Sequence, residues 1–233
     1  RTSLGLGTGD SPQFTGVNLA EAAAPSTPAS GILALYAKTD SKLYTKDDAG
    51  TEREVGADAG RERLTANRTY YVRTDGSDSN DGLANSSGGA FATIQKAVDV
   101  VTDRLDLAGY AVTVQVGAGT HTAGVSLVRA VLGGRLKISG DTTTPSNVVI
   151  STSINCINAE GSGTALQVEG LKLVSSGGSG IMALLGARIG ITGRMDFGSA
   201  AGAHIRTSYA GLIQCSGVAY DITGSALSHL WSE

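Results

Sequence analysis

The stretch Tyr70–Asp99 reads YYVRTDGSDSNDGLANSSGGAFATIQKAVD. It begins like a strand, passes through a loop of Asp, Asn, Ser and Gly, and closes like the first turns of a helix. The loop invites a calcium reading, which can be tested by counting. An EF-hand loop needs oxygen ligands at positions one, three and five, glycine at six and a bidentate Glu at twelve. The best register places Ser77, Ser79 and Asp81 at the first three and Gly82 at six. Position twelve is then Gly88, which has no side-chain oxygen. No metal site is assigned to Asp75–Gly82, because these residue types also gather wherever a chain turns.

The second half of the stretch is more telling. Phe91, Ile94, Ala97, Val98, Val101 and Leu105 fall on one face at helical spacing. Thr93 is placed to cap the start by accepting a backbone N–H. The spacing predicts a helix over Thr93–Leu105 that ends near Asp106 to Gly109, the one long amphipathic helix in the chain.

Composition points the same way on both sides of it. The chain has 233 residues, 33 of them Gly, with one Trp and three Phe. Glycine and small aliphatics with few aromatics suit repetitive β structure with tight turns. A net charge of −3 offers no basic patch for nucleic acid. No run of eighteen apolar residues is present to span a membrane. The numbering begins at Arg1 without Met, which reads as a fragment or a processed chain. Cys156 and Cys215 lie far apart and outside any CxxC spacing. A disulfide between them stays open, and two small buried thiols are the reading.

Five regions follow from the pattern. Residues 1–30, with sparse large apolar side chains and the Pro-rich end APSTPAS, read as an extended segment and linker. Residues 31–56 read as a three-stranded meander, with strands over Ile32–Ala37, Leu43–Lys46 and Thr51–Val55 separated by TDSK and DDAG turns. Its core is thin. Residues 57–67 form a charged connector. Residues 68–109 hold an opening strand, the loop and the helix. Over 110–233 short strands alternate with glycine, most cleanly at Val112, Val114 and Val116.

The last region repeats. GARIGITG (Gly186–Gly193) aligns with AGLIQCSG (Ala210–Gly217). One inserted residue later, Asp196 aligns with Asp221 and His204 with His229. A period in the low twenties with two or three strands is the coil of a parallel β-helix, whose coils stack about 4.8 Å apart. The first coil needs a cover, and the helix is placed to supply it.

These segments carry a resemblance. Asp81-Gly82, Phe91 and TIQKA (Thr93–Ala97) resemble the opening of pectate-lyase-like right-handed β-helix proteins. SLGLGTGDSP (Ser3–Pro12) and LYAKTDSKLYTKDDAGTE (Leu35–Glu52) resemble segments of bacteriophage tail fibres and tail spikes. The resemblance implies a mainly β fold: a right-handed parallel β-helix capped by one α-helix, behind an extended fibre-like segment and a small meander. It also implies a homotrimer located in the virion tail. Residues 1–30 would attach to other tail or baseplate proteins, and the β-helix would face host-surface polysaccharide. No cofactor is implied, nor a nucleic-acid partner or membrane insertion.

Some spikes of this fold cut polysaccharide, so the candidate residues were weighed. Asp196 and Asp221 would lie about 5 Å apart on neighbouring coils, a separation that retaining glycosidases use. Met195, Phe197, Tyr220 and Ile222 should alternate inward, leaving both Asp as solvent-facing residues near turns. The region's other acids, Asp141, Glu160 and Glu169, fall out of register. His204 and His229 would stack without a third ligand, and His121 in GTHT reads as a turn residue. The rows of glycine and small residues do not supply the aromatic platforms of many sugar grooves: Trp231 is the sole Trp, with Tyr209 and Tyr220 the nearby tyrosines. No catalytic, ligand-binding or metal residue is assigned. A structural and host-attachment fibre is favoured over the front part of a glycan-degrading spike, and a bacterial adhesin is the weakest reading. The pattern stops at SALSHLWSE with a coil barely begun, which reads either as a coil capped by another fold or as a chain that continues.

Overall fold

The computed structural model describes residues 19–55, 61–215 and 217–232. The Ser3–Pro12 segment lies outside them. The chain divides into two compact units, Arg1–Gly60 and Arg61–Glu233. No helix among the described residues is long and apolar enough to cross a membrane.

The first unit is an antiparallel meander of β1 (Ala34–Ala37), β2 (Leu43–Lys46) and β3 (Glu52–Glu54). Ser41 and Gly50 take left-handed φ in its two turns. Among its described hydrophobic residues only Tyr36 is buried, and its ring lies 6.0 Å from that of Tyr44. The stretch read as a linker lies along the meander. Glu21 bridges to Ala37, and the Pro25 carbonyl accepts from Lys46 Nζ at 3.0 Å. A run of Pro removes backbone donors but leaves carbonyls free to accept, so such a segment can still be tied down.

The second unit opens with β4 (Glu62–Arg63), β5 (Arg68–Val72) and α1 (Ile94–Arg104), followed by β6 (Leu105–Asp106). The helix thus ends earlier than its periodicity predicts, and the connector holds a strand. Both corrections have one cause: Leu105 and Asp106 are drawn into parallel pairing with Glu62 and Arg63. At the other end, Thr93 caps the helix and its side chain accepts from Lys96 N. All six face residues, Phe91 to Leu105, are buried, and α1 packs on β5, β6, β7 and β9.

Five triplets of strands follow. They are β7 (Ala111–Val116), β8 (Gly119–His121) and β9 (Val125–Leu127); β10 (Arg135–Ser139), β11 (Val148–Thr152) and β12 (Ile157–Glu160); β13 (Ala165–Glu169), β14 (Lys172–Ser175) and β15 (Ile181–Leu184); β16 (Arg188–Ile191), β17 (Met195–Ala200) and β18 (Ala203–Ser208); and β19 (Leu212–Cys215), β20 (Tyr220–Ile222) and β21 (Ser228–Ser232). Each of three parallel sheets takes every third strand, and none closes on itself. The first sheet runs from β5 through β7, β10, β13 and β16 to β19.

Period-2 alternation decides which side chains meet. Val114, Ile138, Val168 and Ile191 stand in one inward column of the first sheet. His121, Ile150, Leu173, Phe197 and Ile222 form the matching column of the second, and Val125, Ile157, Ile181, Ile205 and Leu230 that of the third. From β7 to β18 the apolar members are at most 7% exposed. Each such side chain contributes about 1.5–3 kcal/mol by leaving water. In the last triplet Ile222 and Leu230 are 44% and 68% exposed. Among the described residues, no strand pairs on the far side of β19, β20 or β21.

Candidate functional site

The loop after β5 uses its carboxylates to hold itself. Asp78 Oδ1 accepts from the backbone N–H groups of Ala92 and Thr93, each at 2.9 Å, and Oδ2 accepts from the Thr93 hydroxyl at 2.8 Å. Asp75 pairs with Arg73, and Asp81 Oδ1 accepts from Leu83 N. Gly82 has φ +76°, and a Cβ there would lie 2.2 Å from the Phe91 ring. The loop is therefore a clasp that fixes Phe91 and the start of α1. Among the described residues, no group of three His, Cys, Asp or Glu side chains could hold a metal ion.

A polar ladder runs down the outside of the triplets. Asp196 stands opposite Asp221, and the extra residue that shifts this register lies between β19 and β20. The two carboxylates differ, contrary to the expectation that both face solvent. The Asp221 side chain is 50% exposed, whereas that of Asp196 is 8% exposed. Asp196 is covered by its partners. Lys172 Nζ lies 3.3 Å from Oδ2, and the Thr223 hydroxyl donates to Oδ1 at 2.6 Å. Asp221 Oδ2 accepts from Arg194 Nε and Nη2, and Arg194 Nη1 reaches the Thr143 carbonyl. Neither residue sits in a turn; both are mid-strand. A general acid or base must reach a substrate proton, whereas both Asp196 oxygens and Oδ2 of Asp221 are engaged by Lys172, Thr223 and Arg194.

Glu169 is the most enclosed acid of the ladder after Asp196. It accepts from Ser139 at 3.0 Å, from Lys137 at 3.2 Å and from Thr192 at 2.8 Å. Burial alone would raise its pKa, but the Thr192, Ser139 and Lys137 bonds outweigh it and hold the carboxyl below its ordinary range. No register for this cluster is readable from the residues alone, because a long loop breaks the period. Ser139 and Glu169 are 30 apart, against 24 for Gln115 and Ser139 and 23 for Glu169 and Thr192. Asp141 organises that loop, accepting from Thr143 N, Thr144 N and Asn147 Nδ2. Glu160, at the end of β12, is level with Leu184.

The histidines are structural in different ways. His204 and His229 stack with ring centroids 5.0 Å apart and Nδ1 atoms 3.0 Å apart, while Phe197 stacks on His204 at 5.7 Å. Burial, then the neighbouring His229, lowers the His204 pKa. His121 is not a turn residue: it ends β8 in an inward column, its Nε2 3.1 Å from the Gly117 carbonyl. That one bond lets a polar ring sit among aliphatics. The two thiols also part company. Both are free; Cys156 is buried and Cys215 exposed. Burial pushes the Cys156 thiol up to about 12, and its S–H donates to the Val174 carbonyl at 3.2 Å. Trp231 covers Arg206, whose guanidinium carbon lies 5.3 Å from the ring, and Tyr220 meets Phe197 edge-on. Tyr209 is 72% exposed in a left-handed turn.

Comparison with protein families, curated proteins and solved structures found no match. The geometry itself shows a polar face on which Lys137–Glu169, Lys172–Asp196 and Arg194–Asp221 are paired across neighbouring strands.

Proposed function

We propose that this chain is a structural and host-attachment part of a bacteriophage tail fibre or spike. The observation that carries this reading is the strand order, in which each parallel sheet gathers every third strand beneath α1. On this reading the three sheets are the faces of a right-handed parallel β-helix, the triplets are its coils and α1 is its cap. The chain assembles as a homotrimer. The meander, with a single buried hydrophobic residue, gains from copies of itself what it lacks in core. Residues 1–30 attach to other tail or baseplate proteins, and the coils face host-surface polysaccharide.

The test has two arms. The purified chain should sediment as three copies and, added to bacterial cells, should bind them and block adsorption of the cognate phage. A folded monomer that binds no cells defeats the proposal. The register of Asp196 with Asp221 favours a second reading, a glycan-cleaving spike. Loss of capsule or lipopolysaccharide chain length on incubation, abolished by Asp196→Asn/Asp221→Asn, would replace the attachment reading with that one.

A further inference from the structure

The outer face of the first sheet carries a dent that the rest of the ladder does not explain. Its position is set by register. Lys137, Gln167, Gly190 and Gln214 stand in one outward column. Ala165 and Arg188 stand together in the next, level with Arg135, the residue before the Leu136 that pairs with Leu166. A cavity of about 180 Å³ opens there, with Arg135, Gln167, Arg188 and Gln214 around a floor of Ala165 and Gly190.

Gly190 is unexpected. It lies mid-strand, its φ is not left-handed, and a Cβ there would meet nothing closer than 3.8 Å. Neither backbone nor packing requires glycine, and a strand is weaker for it. Glycine in a strand also marks places where a ligand or another backbone comes close. Here a side chain would fill the floor of the dent.

The rim makes a second, independent point. Arg68, Arg73, Arg129 and Arg194 each sit on a carboxylate. The guanidinium groups of Arg135 and Arg188 have no ion pair or hydrogen bond among the described residues, and no acid lines the dent. The Gln167 and Gln214 amides are likewise free. Glu169, the nearest acid on the adjoining column, is already held by Lys137, Ser139 and Thr192. Two uncompensated cations on a chain of net charge −3 form a local anion site.

We propose that this dent binds an acidic sugar unit, a ring bearing a carboxylate. The two Arg are two strands apart, about 10 Å at the usual strand spacing, and so bracket a ring-sized body. A guanidinium grips a carboxylate through two parallel N–H bonds. The amides donate to and accept from hydroxyls, and Ala165 with Gly190 gives a flat floor for the ring face. Nucleic acid is the poorer fit, since no aromatic side chain lines the dent to stack a base. The proposal deepens the host-attachment reading, and its test separates the two.

Titration calorimetry of the whole chain would use a six-residue polyuronate, a neutral six-residue glucan and a short single-stranded DNA. Polyuronate binding is expected in the millimolar range or tighter, with the glucan and DNA weaker. Arg135→Gln and Arg188→Gln should each weaken it about tenfold, equivalent to about 1.4 kcal/mol. Gly190→Val should abolish it with the melting temperature kept or raised, because β-branched residues favour strands. The proposal is overturned if the glucan or DNA binds as well as the uronate, if all three variants bind like the parent, or if no binding occurs at about 10 mM, well above a millimolar Kd. Cell adhesion measured on parent and Gly190→Val keeps the attachment reading distinct: equal adhesion without uronate binding sinks the dent alone.

Discussion

The meander of β1–β3 and the interleaved sheets of β5–β21 are both built of short strands, yet different forces hold them. The meander buries one hydrophobic side chain and is laced by Lys38–Glu52, Lys42–Glu54 and Lys46–Glu52, with Lys38 also over the Tyr44 ring. The interleaved sheets bury continuous columns of Val, Ile and Leu and keep their ion pairs on the outside. Exposed ion pairs contribute little and are screened by salt, whereas buried apolar area is not. The difference teaches that strand content says little about robustness; what matters is whether each strand has a covered face.

The harshest way to break the contrast is at the cap. Phe91→Ala removes a fully buried ring and should cost the second unit about 3–5 kcal/mol. Amide exchange should quicken over 112–191 and stay unchanged over 34–54. Exchange over 112–191 equal to that of the parent would mean that α1 does not seal the sheets. Gly82→Ala comes next. Its left-handed φ and the clash with Phe91 should cost about 1–3 kcal/mol. In the Phe91→Ala background that cost should shrink, because the ring it strikes is gone.

Acid should sharpen the contrast locally. His204 is neutral in the fold because burial and His229 depress its pKa, while the unfolded chain takes up its proton near about pH 6.5. Stability is therefore complete above that value and falls as the pH drops through it, levelling below the depressed folded value. Between about pH 7 and about pH 5, β18 and β21 should lose protection before β7 and β10, and His204→Phe should remove the effect. The smallest effect is that of salt. In 1 M NaCl, roughly a 3 Å screening length, exchange should rise over 34–54 and not over 112–191. The opposite result would show that the meander does not lean on its ion pairs.

How much of this was legible depends on the range of the signal. The α1 face and its Thr93 cap were readable because both are local, spanning a few turns. The strands of the meander and of Ala111–Val116 were readable from alternation and turn residues. The register of Asp196 with Asp221 was readable because little is inserted between the last triplets. Four features were hidden for physical reasons. The two-residue pair β4–β6 has too few side chains to leave a pattern. The loop at 140–147 pushes Glu169 out of phase with Lys137, so their pairing has no fixed spacing to detect. The burial of Asp196 depends on Lys172 and Thr223, each about one triplet away, and on what their side chains reach. His121 looked like a turn residue because one carbonyl, that of Gly117, is enough to admit it to a hydrophobic column.

The strand order has a consequence for how such a molecule can change length. Paired strands of successive triplets are 23 to 25 residues apart, except across the stretch that holds the loop at 140–147, where the three intervals are 29, 32 and 30. Inserting or deleting one whole triplet would lengthen or shorten the stack by about 4.8 Å and leave every inward residue inward. Changing a strand by a single residue would turn its apolar side chains out unless a bulge takes up the extra residue, as it does between Phe197 and Ala200; extra residues at a corner are absorbed, as that loop shows. The chain thus carries a reading frame of its own, counted in triplets of strands, that tolerates whole words and punctuation, and a spelling error within a word only where a bulge corrects it.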